Sequence, residues 1–129
     1  MKNVEKIYES KKLVGLVIRH NVNVSDRTFF TEAQNPLQLA IHNTTLKKEL
    51  TAHIHQIDTP LAIPEIHEFL YVQKGGIKVT FISKKGKQIA KKILKKNDIV
   101  LIMNISHKVD FLAKSQVVEV KQGPYLQKK

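Results

Sequence analysis

The chain is built from short apolar or alternating apolar and polar runs, and this feature constrains its fold more than any other. In a strand, alternation places the apolar side chains on one face. Turn-forming residues separate the runs at short intervals. The runs lie at 13–18, 37–41, 50–55, 69–72, 77–81, 99–103, 108–112 and 117–121. The pattern predicts an all-β sandwich or barrel.

Two segments fit this pattern less well. Residues 1–12 are expected to form an N-terminal tail or a short helix. Residues 86–96 fit a helical period and also fit strand alternation. The chain has 129 residues and contains no linker, repeat or low-complexity tract. We therefore expect a single β-domain over 13–126 and a C-terminal tail at 127–129.

The composition excludes several classes of protein. The chain has no cysteine, which rules out disulfide scaffolds, cysteine zinc fingers, thiolate catalysis and iron–sulfur clusters. No run approaches the roughly 18 apolar residues of a membrane span. No apolar stretch follows the basic start, as it would in a signal peptide. We therefore expect a cytoplasmic protein without a membrane partner.

The chain is strongly basic, with 22 basic and 11 acidic residues and a formal net charge of +11. Only Arg19 and Arg27 are arginine, the side chain suited to bidentate contact with phosphates and guanine. Aromatic residues, which act as stacking platforms for nucleic acids, make up 6% of the chain. We interpret the lysines as solvated surface, with weak steering of an anionic small molecule as the alternative. No nucleic-acid partner is expected.

The most specific local motif is His53-Ile54-His55. Residues two apart in a strand project to the same face, so both imidazoles would point one way and Ile54 the other. Two converging neutral imidazoles suit a metal ion. The motif also fits two exposed histidines on a solvated strand face.

Two downstream residues extend this motif. Glu68 heads an apolar strand and shares its face with Leu70 and Val72. An unpaired carboxylate is costly in such a place, and coordination to a metal would remove that cost. His107 has the strand parity of the apolar Val109 and is therefore expected to point into the core. Together with the histidine pair, these residues predict a site for a divalent metal.

This set of residues resembles the cupin superfamily. The first cupin motif contains His-x-His, a spacer, Glu, six residues and Gly, as in the stretch from His53 to Gly75. The second motif has Gly-Asp, an apolar strand, a turn and His, and residues 97–107 follow its outline. The resemblance covers about residues 36–121. It implies a double-stranded β-helix, the jelly-roll barrel of a small single-domain cupin.

The sequence departs from the cupin pattern at its turns. Lys47 stands where the first motif has its leading Gly, and Asn97 replaces the Gly of Gly-Asp. Residues 104–106 replace a Pro-x-Gly turn. The spacer, residues 56–67, is longer than the three or four residues of the motif. We expect it to loop out at the mouth of the barrel.

The long spacer leaves the carboxylate ligand open. Glu65 and His67 lie close to Glu68 in sequence, and a register shift of one residue would exchange His67 for Glu68. We prefer Glu68 because six residues separate it from Gly75, as in the motif. Asp58 is a lesser candidate.

The last predicted strand carries two charges on one face. Glu119 and Lys121 alternate with Val118 and Val120. If the charged face points inward, the pair can act as general acid and base or hold a substrate carboxylate or phosphate. The alternative is a solvated edge strand with a weak ion pair.

Three histidines and one carboxylate leave positions for water or substrate on Fe, Mn, Ni or Zn, and the ligand types do not choose among these metals. The resemblance implies a metal-dependent isomerase or epimerase acting on a carbohydrate or another small polar metabolite. Surface-polysaccharide or nucleotide-sugar metabolism would supply such a substrate. An Fe(II)-dependent dioxygenase and a non-catalytic ligand-binding cupin are the alternatives. The resemblance also implies a homodimer.

Overall fold

The structure is a computed structural model that describes residues 1–44, 49–58 and 64–124. These residues form ten β-strands and no helix, so none of them lies in a helix able to cross a membrane. All strand pairs are antiparallel, which confirms the all-β prediction. Lys47, residues 59–63 of the expected spacer loop and the expected tail at 127–129 lie outside the described residues.

The strands follow one another in chain order. They are β1 (Val4–Glu9), β2 (Lys12–Ile18), β3 (Asp26–Phe29), β4 (Ala40–Asn43), β5 (His67–Lys74), β6 (Gly76–Ile82), β7 (Gln88–Lys95), β8 (Ile99–Met103), β9 (Ser106–Phe111) and β10 (Gln116–Lys121). Strand β7 shows that the segment 86–96 follows strand alternation and not the helical period.

The prediction of a tail or short helix for residues 1–12 is wrong. Strand β1 pairs with β2 from Val4 opposite Ile18 to Glu9 opposite Lys12. This hairpin gives the backbone of β1 its hydrogen-bond partners and buries Ile7, which is 4% exposed, in the core.

The chain divides into two compact units. Unit 1 comprises Met1–Asn23 and Glu65–Lys129 and contains every strand except β3 and β4. Unit 2 comprises Val24–Pro64, and in it β3 pairs with β4. Residues 24–64, expected to belong to one domain over 13–126, therefore form a unit of their own, because their described strands pair with each other.

Unit 1 contains two antiparallel sheets. The larger has the strand order β1-β2-β8-β5-β10 and the smaller has the order β7-β6-β9. Val72 and Val100 of the larger sheet and Val79 and Phe81 of the smaller one belong to a single buried core. Within the described residues the sheets keep separate edge strands, so unit 1 is an open sandwich and not the closed barrel that we expected.

The turn between β5 and β6 requires glycine. Gly75 has a φ of +77°, in the left-handed region that side chains with a Cβ rarely adopt. A Cβ at this position would overlap Ser115 Oγ and lie 2.5 Å from the Lys114 carbonyl oxygen. Conformation and space therefore both fix glycine at the end of β5.

An ion network ties β1 to the smaller sheet. Arg19 binds the Glu5 carboxylate through Nε at 2.6 Å and Nη2 at 3.1 Å. Lys92 of β7 donates to the same carboxylate at 2.9 Å. Hydrogen bonding from Arg19, reinforced by Lys92 and partly opposed by burial, lowers the pKa of Glu5 to about 2. The ionised carboxylate therefore stabilises the fold.

We predict that this carboxylate makes the stability of unit 1 sensitive to acid. A lowered pKa contributes stability above the unfolded value of about 4.5, and this contribution is lost as the pH falls towards about 2. Glu5→Gln should cost about 1–2 kcal/mol at pH 7. In urea denaturation the difference from wild type should shrink between these two pH values. Asp58→Asn, at an exposed position, controls for net charge, and a loss from Glu5→Gln that is the same at every pH would contradict the prediction.

Candidate functional site

Glu68 and His107 meet between the two sheets at one end of unit 1. Glu68 is the second residue of β5 and lies on the face of Leu70, which is buried in the core. His107 is the second residue of β9 and pairs with Phe81 of β6. Glu68 Oε2 lies 3.8 Å from His107 Nε2. Both side chains face the interior, the orientation that their strand parity predicts.

A cavity of about 260 Å³ opens at this end of the sandwich. Its described lining combines β5, the end of β8 and the turn into β9: Ile66, Glu68, Ile102, Asn104, Ile105, Ser106 and His107. The side chains of Glu68 and His107 are 17% and 28% exposed. The pair is therefore sheltered by the sheets and still accessible to a small ligand.

A backbone carbonyl two residues earlier in the chain orients the ring of His107. Its Nδ1 lies 2.8 Å from the Ile105 carbonyl oxygen. Because a carbonyl only accepts, Nδ1 carries the proton and donates it. In the neutral ring Nε2 is then a lone-pair donor directed toward the Glu68 carboxylate. At 3.8 Å the two atoms are too far apart for a hydrogen bond, and they present two metal-ligating groups to the same space.

Glu119 and Lys121 lie on the inward face of β10. Val117, on the same face, packs against the core. In the register of β10 and β5, Lys121 is opposite Glu68 and Glu119 is opposite Leu70, two pairs further along. Lys121 Nζ lies 3.5 Å from Glu119 Oε2. The two side chains form an ion pair on an edge strand and are 49% (Glu119) and 32% (Lys121) exposed, so their acid–base role stays a prediction.

Glu68 is in an environment that disfavours its charge. Burial raises the pKa of Glu68, and the neighbouring Glu119 carboxylate raises it further. His107 and Lys121 act in the opposite direction. Ionisable groups with opposing influences at the mouth of a cavity are typical of functional sites.

His53 and His55 belong to unit 2, whereas Glu68 and His107 belong to unit 1. The strand expected around the histidine pair is absent, since residues 49–58 pair with none of the described strands. The two imidazole rings are nevertheless adjacent, with centroids 4.9 Å apart and planes at 74°. His53 Nδ1 lies 2.6 Å from the Thr51 carbonyl oxygen and donates to it.

No group of three or more His, Cys, Asp or Glu able to hold a metal ion occurs within residues 1–44, 49–58 and 64–124. The described structure brings Glu68 and His107 together in unit 1 and keeps the histidine pair together in unit 2. Asp58, the lesser ligand candidate, is exposed in unit 2.

The two alternative ligands in the spacer are bonded to each other. His67 precedes Glu68 and therefore lies on the opposite face of β5, where it is 1% exposed. Its Nε2 donates to Glu65 Oε1 at 2.7 Å. This hydrogen bond, together with Lys12, lowers the pKa of Glu65. The spatial partner of His107 is thus Glu68.

The fold gathers lysines that are dispersed in the sequence. The β6–β7 hairpin, Gly76–Lys95, carries seven lysines and no acidic residue. Its turn contains Lys84, Lys85 and Lys87. The register of β6 and β9 places this turn at the end of the small sheet where β9 begins, the end that carries His107. The turn therefore places positive charge at the end of the small sheet that carries His107, and this charge favours anionic ligands there.

Unit 2 has a cavity of its own, of about 480 Å³. Its described lining is Asp26, Arg27, His42, Thr44, Glu49 and Leu50. The Arg27 guanidinium lies 5.4 Å from the ring centroid of Phe29. This cavity mixes both signs of charge and contains none of the predicted site residues, so the mouth of unit 1 is the better candidate site.

The mouth of unit 1 offers two kinds of chemistry. Glu68 and His107 bring a carboxylate oxygen and a ring nitrogen together in the lining of the cavity, and the charged groups of Glu119 and Lys121 lie beside Glu68 on the neighbouring strand β10. Comparison with family models, with curated proteins and with solved structures finds no match for the chain.

We predict that the ionised Glu68 carboxylate lowers the stability of the folded protein. Because burial and Glu119 raise its pKa, the ionised form destabilises the folded state at pH 7. In EDTA, Glu68→Gln should raise the melting temperature by about 3 °C. Asp58→Asn changes the net charge equally at an exposed position and should leave the melting temperature unchanged. A lower melting temperature for Glu68→Gln would contradict the prediction.

Proposed function

We propose that the chain is a small cupin-type metalloprotein in which Glu68 and His107 of unit 1 hold a divalent transition-metal ion, with His53 and His55 as the further ligands that the resemblance to cupins implies. The observation that carries this proposal is the pairing of Glu68 with His107 at the open end of unit 1. A ring nitrogen and a carboxylate oxygen face each other there at 3.8 Å. A cation between them would offset the cost of burying Glu68.

The strand topology supports a jelly roll. Strand β5 lies in the larger sheet, and β6 and β7 form a hairpin in the smaller one. The next three strands alternate, with β8 in the larger sheet, β9 in the smaller and β10 in the larger. Strands β10, β5 and β8 become neighbours in one sheet, and β9, β6 and β7 in the other. Two facing sheets that exchange non-consecutive strands in this way are characteristic of jelly rolls.

The backbone supports the same proposal at two of the three motif turns, those at Gly75 and Asn97. Gly75 ends β5 with a φ of +77°, and Asn97 precedes β8 with a φ of +71°. Asparagine tolerates this region best after glycine, so Asn97 fits a position where the cupin motif has Gly. Asn104 has a φ of +52°, which proline does not adopt. The turn before His107 therefore differs in type from Pro-x-Gly.

Two of the three histidines have the orienting hydrogen bond that is typical of metal ligands. His53 and His107 each donate Nδ1–H to the carbonyl two residues earlier, Thr51 and Ile105 respectively. This bond fixes the tautomer and leaves Nε2 free to coordinate. Three imidazoles and a carboxylate fit Fe(II), Mn(II), Ni(II) or Zn(II). An ion held by them would polarise a carbonyl or hydroxyl oxygen of a bound molecule.

The residues beside the ligands favour proton transfer on a small anionic or carbohydrate-type substrate. The Glu119 carboxylate accepts a proton from a substrate carbon and returns it to the same carbon or its neighbour, which interconverts isomers without gain or loss of atoms. The Lys121 ammonium stabilises negative charge that develops on the substrate. The lysines of the β6–β7 turn attract an anionic molecule to the cavity.

The metal site makes a direct prediction. Untagged protein should retain close to one equivalent of a transition metal by elemental analysis. The double variant His53→Ala, His55→Ala should retain less than about a tenth of it, because two ligands are lost. His20→Ala removes an exposed imidazole from unit 1 and should bind metal as the wild type does. Metal-free wild type, or full occupancy in the double variant, would overturn the proposal.

The acid–base pair makes a second prediction. In D₂O, metal-loaded wild type should exchange a carbon-bound proton in one of a panel of hexose phosphates and nucleotide-linked hexoses, observed by NMR. Glu119→Gln should slow this exchange by about 10²–10⁴-fold and still bind metal. Undiminished exchange in Glu119→Gln would exclude it as the base. Tight binding by the wild type without exchange would instead identify a ligand-binding protein.

A further inference from the structure

We propose that Glu65 is a positioning residue of the metal site, which holds the turn between β8 and β9 in the shape that presents His107 Nε2 to the ion. The inference rests on the metal site proposed above. It assigns a role to a carboxylate that sequence analysis considered only as an alternative ligand.

The Glu65 carboxylate is fully engaged inside unit 1. His67 Nε2 donates to Oε1 at 2.7 Å, and Asn104 Nδ2 donates to Oε2 at 3.2 Å. Lys12 Nζ also reaches Oε2, at 3.3 Å. The three donors are not equivalent, since the His67 side chain is 1% exposed and the Lys12 side chain is 60% exposed. The hydrogen bond to the buried His67 therefore fixes the position of the carboxylate, whereas the contact with Lys12 is exposed to solvent and contributes little.

Asn104 connects the Glu65 carboxylate to the turn that precedes the proposed ligand His107. Asn104 is the first residue after β8 and has a φ of +52°, in the left-handed region. Its side-chain amide is bound to Glu65, 39 positions away in sequence. The bond joins the start of β5 to the turn between β8 and β9.

The next residue of the turn orients the histidine. The Ile105 carbonyl accepts Nδ1–H of His107 at 2.8 Å, and this bond sets both the tautomer and the direction of Nε2. His67, Glu65, Asn104, Ile105 and His107 thus form a continuous series of contacts. A turn without the Glu65 bond is free to leave the left-handed conformation at Asn104, and the carbonyl then moves away from the ring.

The test is a titration of metal-free protein with Co(II), followed by visible absorption. Glu65→Gln has one side-chain oxygen in place of two, so it cannot support both His67 and Asn104 as the carboxylate does. We expect Co(II) affinity to fall by about tenfold, with a changed absorption spectrum. Lys12→Met removes only the exposed contact and should bind Co(II) within about twofold of wild type.

A second variant tests the route through the turn. Asn104→Gly keeps a residue that adopts positive φ and removes only the amide. It should weaken Co(II) binding as Glu65→Gln does, and combining the two changes should add no further loss. Independent, additive losses would overturn the proposed series of contacts, as would wild-type affinity in Glu65→Gln.

A measurement without metal separates this proposal from the metal site itself. In EDTA, long-range ¹H–¹⁵N NMR spectra should show His107 protonated on Nδ1 in wild type and in Lys12→Met. Glu65→Gln should show a mixture of tautomers while its circular dichroism spectrum stays that of the wild type. An unchanged His107 tautomer would overturn the positioning role. Failure of wild type to bind Co(II), with the tautomer shift present, would overturn only the metal site.

Discussion

The buried carboxylate of Asp98 is the interaction on which unit 1 depends. It is 2% exposed and accepts the backbone N–H groups of His20 at 2.7 Å and Lys95 at 2.8 Å. The Arg19 guanidinium adds a third bond at 3.3 Å. These donors follow β2 and end β7, so one side chain joins the two sheets immediately before β8 begins. An unpaired buried carboxylate would destabilise the fold. The three donors therefore fix the position of Asp98, and with it the start of β8.

The cost of burying a carboxylate also explains why the Glu68 end of β8 differs from the Asp98 end. Asp98 has three donors, whereas Glu68 faces a second carboxylate, Glu119, and the lone-pair side of His107. Proteins satisfy buried polar groups wherever only stability is at stake, and they violate this rule at functional sites. One end of the sandwich is therefore tied by hydrogen bonds to Asp98, whereas two carboxylates, Glu68 and Glu119, lie close together at the other.

Local periodicity predicted most of the strands and the inward direction of Glu68 and His107, because parity depends only on neighbouring residues. It missed β1, whose Ser10-Lys11 turn lacks glycine and asparagine, and it missed β3. The strand that it predicted at 50–55 is absent. The bond from Glu65 to Asn104 and the lysines assembled near His107 depend on register between distant segments, which a period of two does not encode. The cytoplasmic location and the homodimer stay predictions.

The place of β8 in the larger sheet has a consequence for how the chain is made. It lies between β2 and β5 and pairs with both, although β2 precedes it by most of the chain. During synthesis the β1–β2 hairpin exists long before its neighbour and displays the unpaired edge of an apolar strand. Sheets completed by such distant segments form slowly, and their open edges invite association with other chains. The newly made protein is therefore most vulnerable to aggregation before β8 leaves the ribosome.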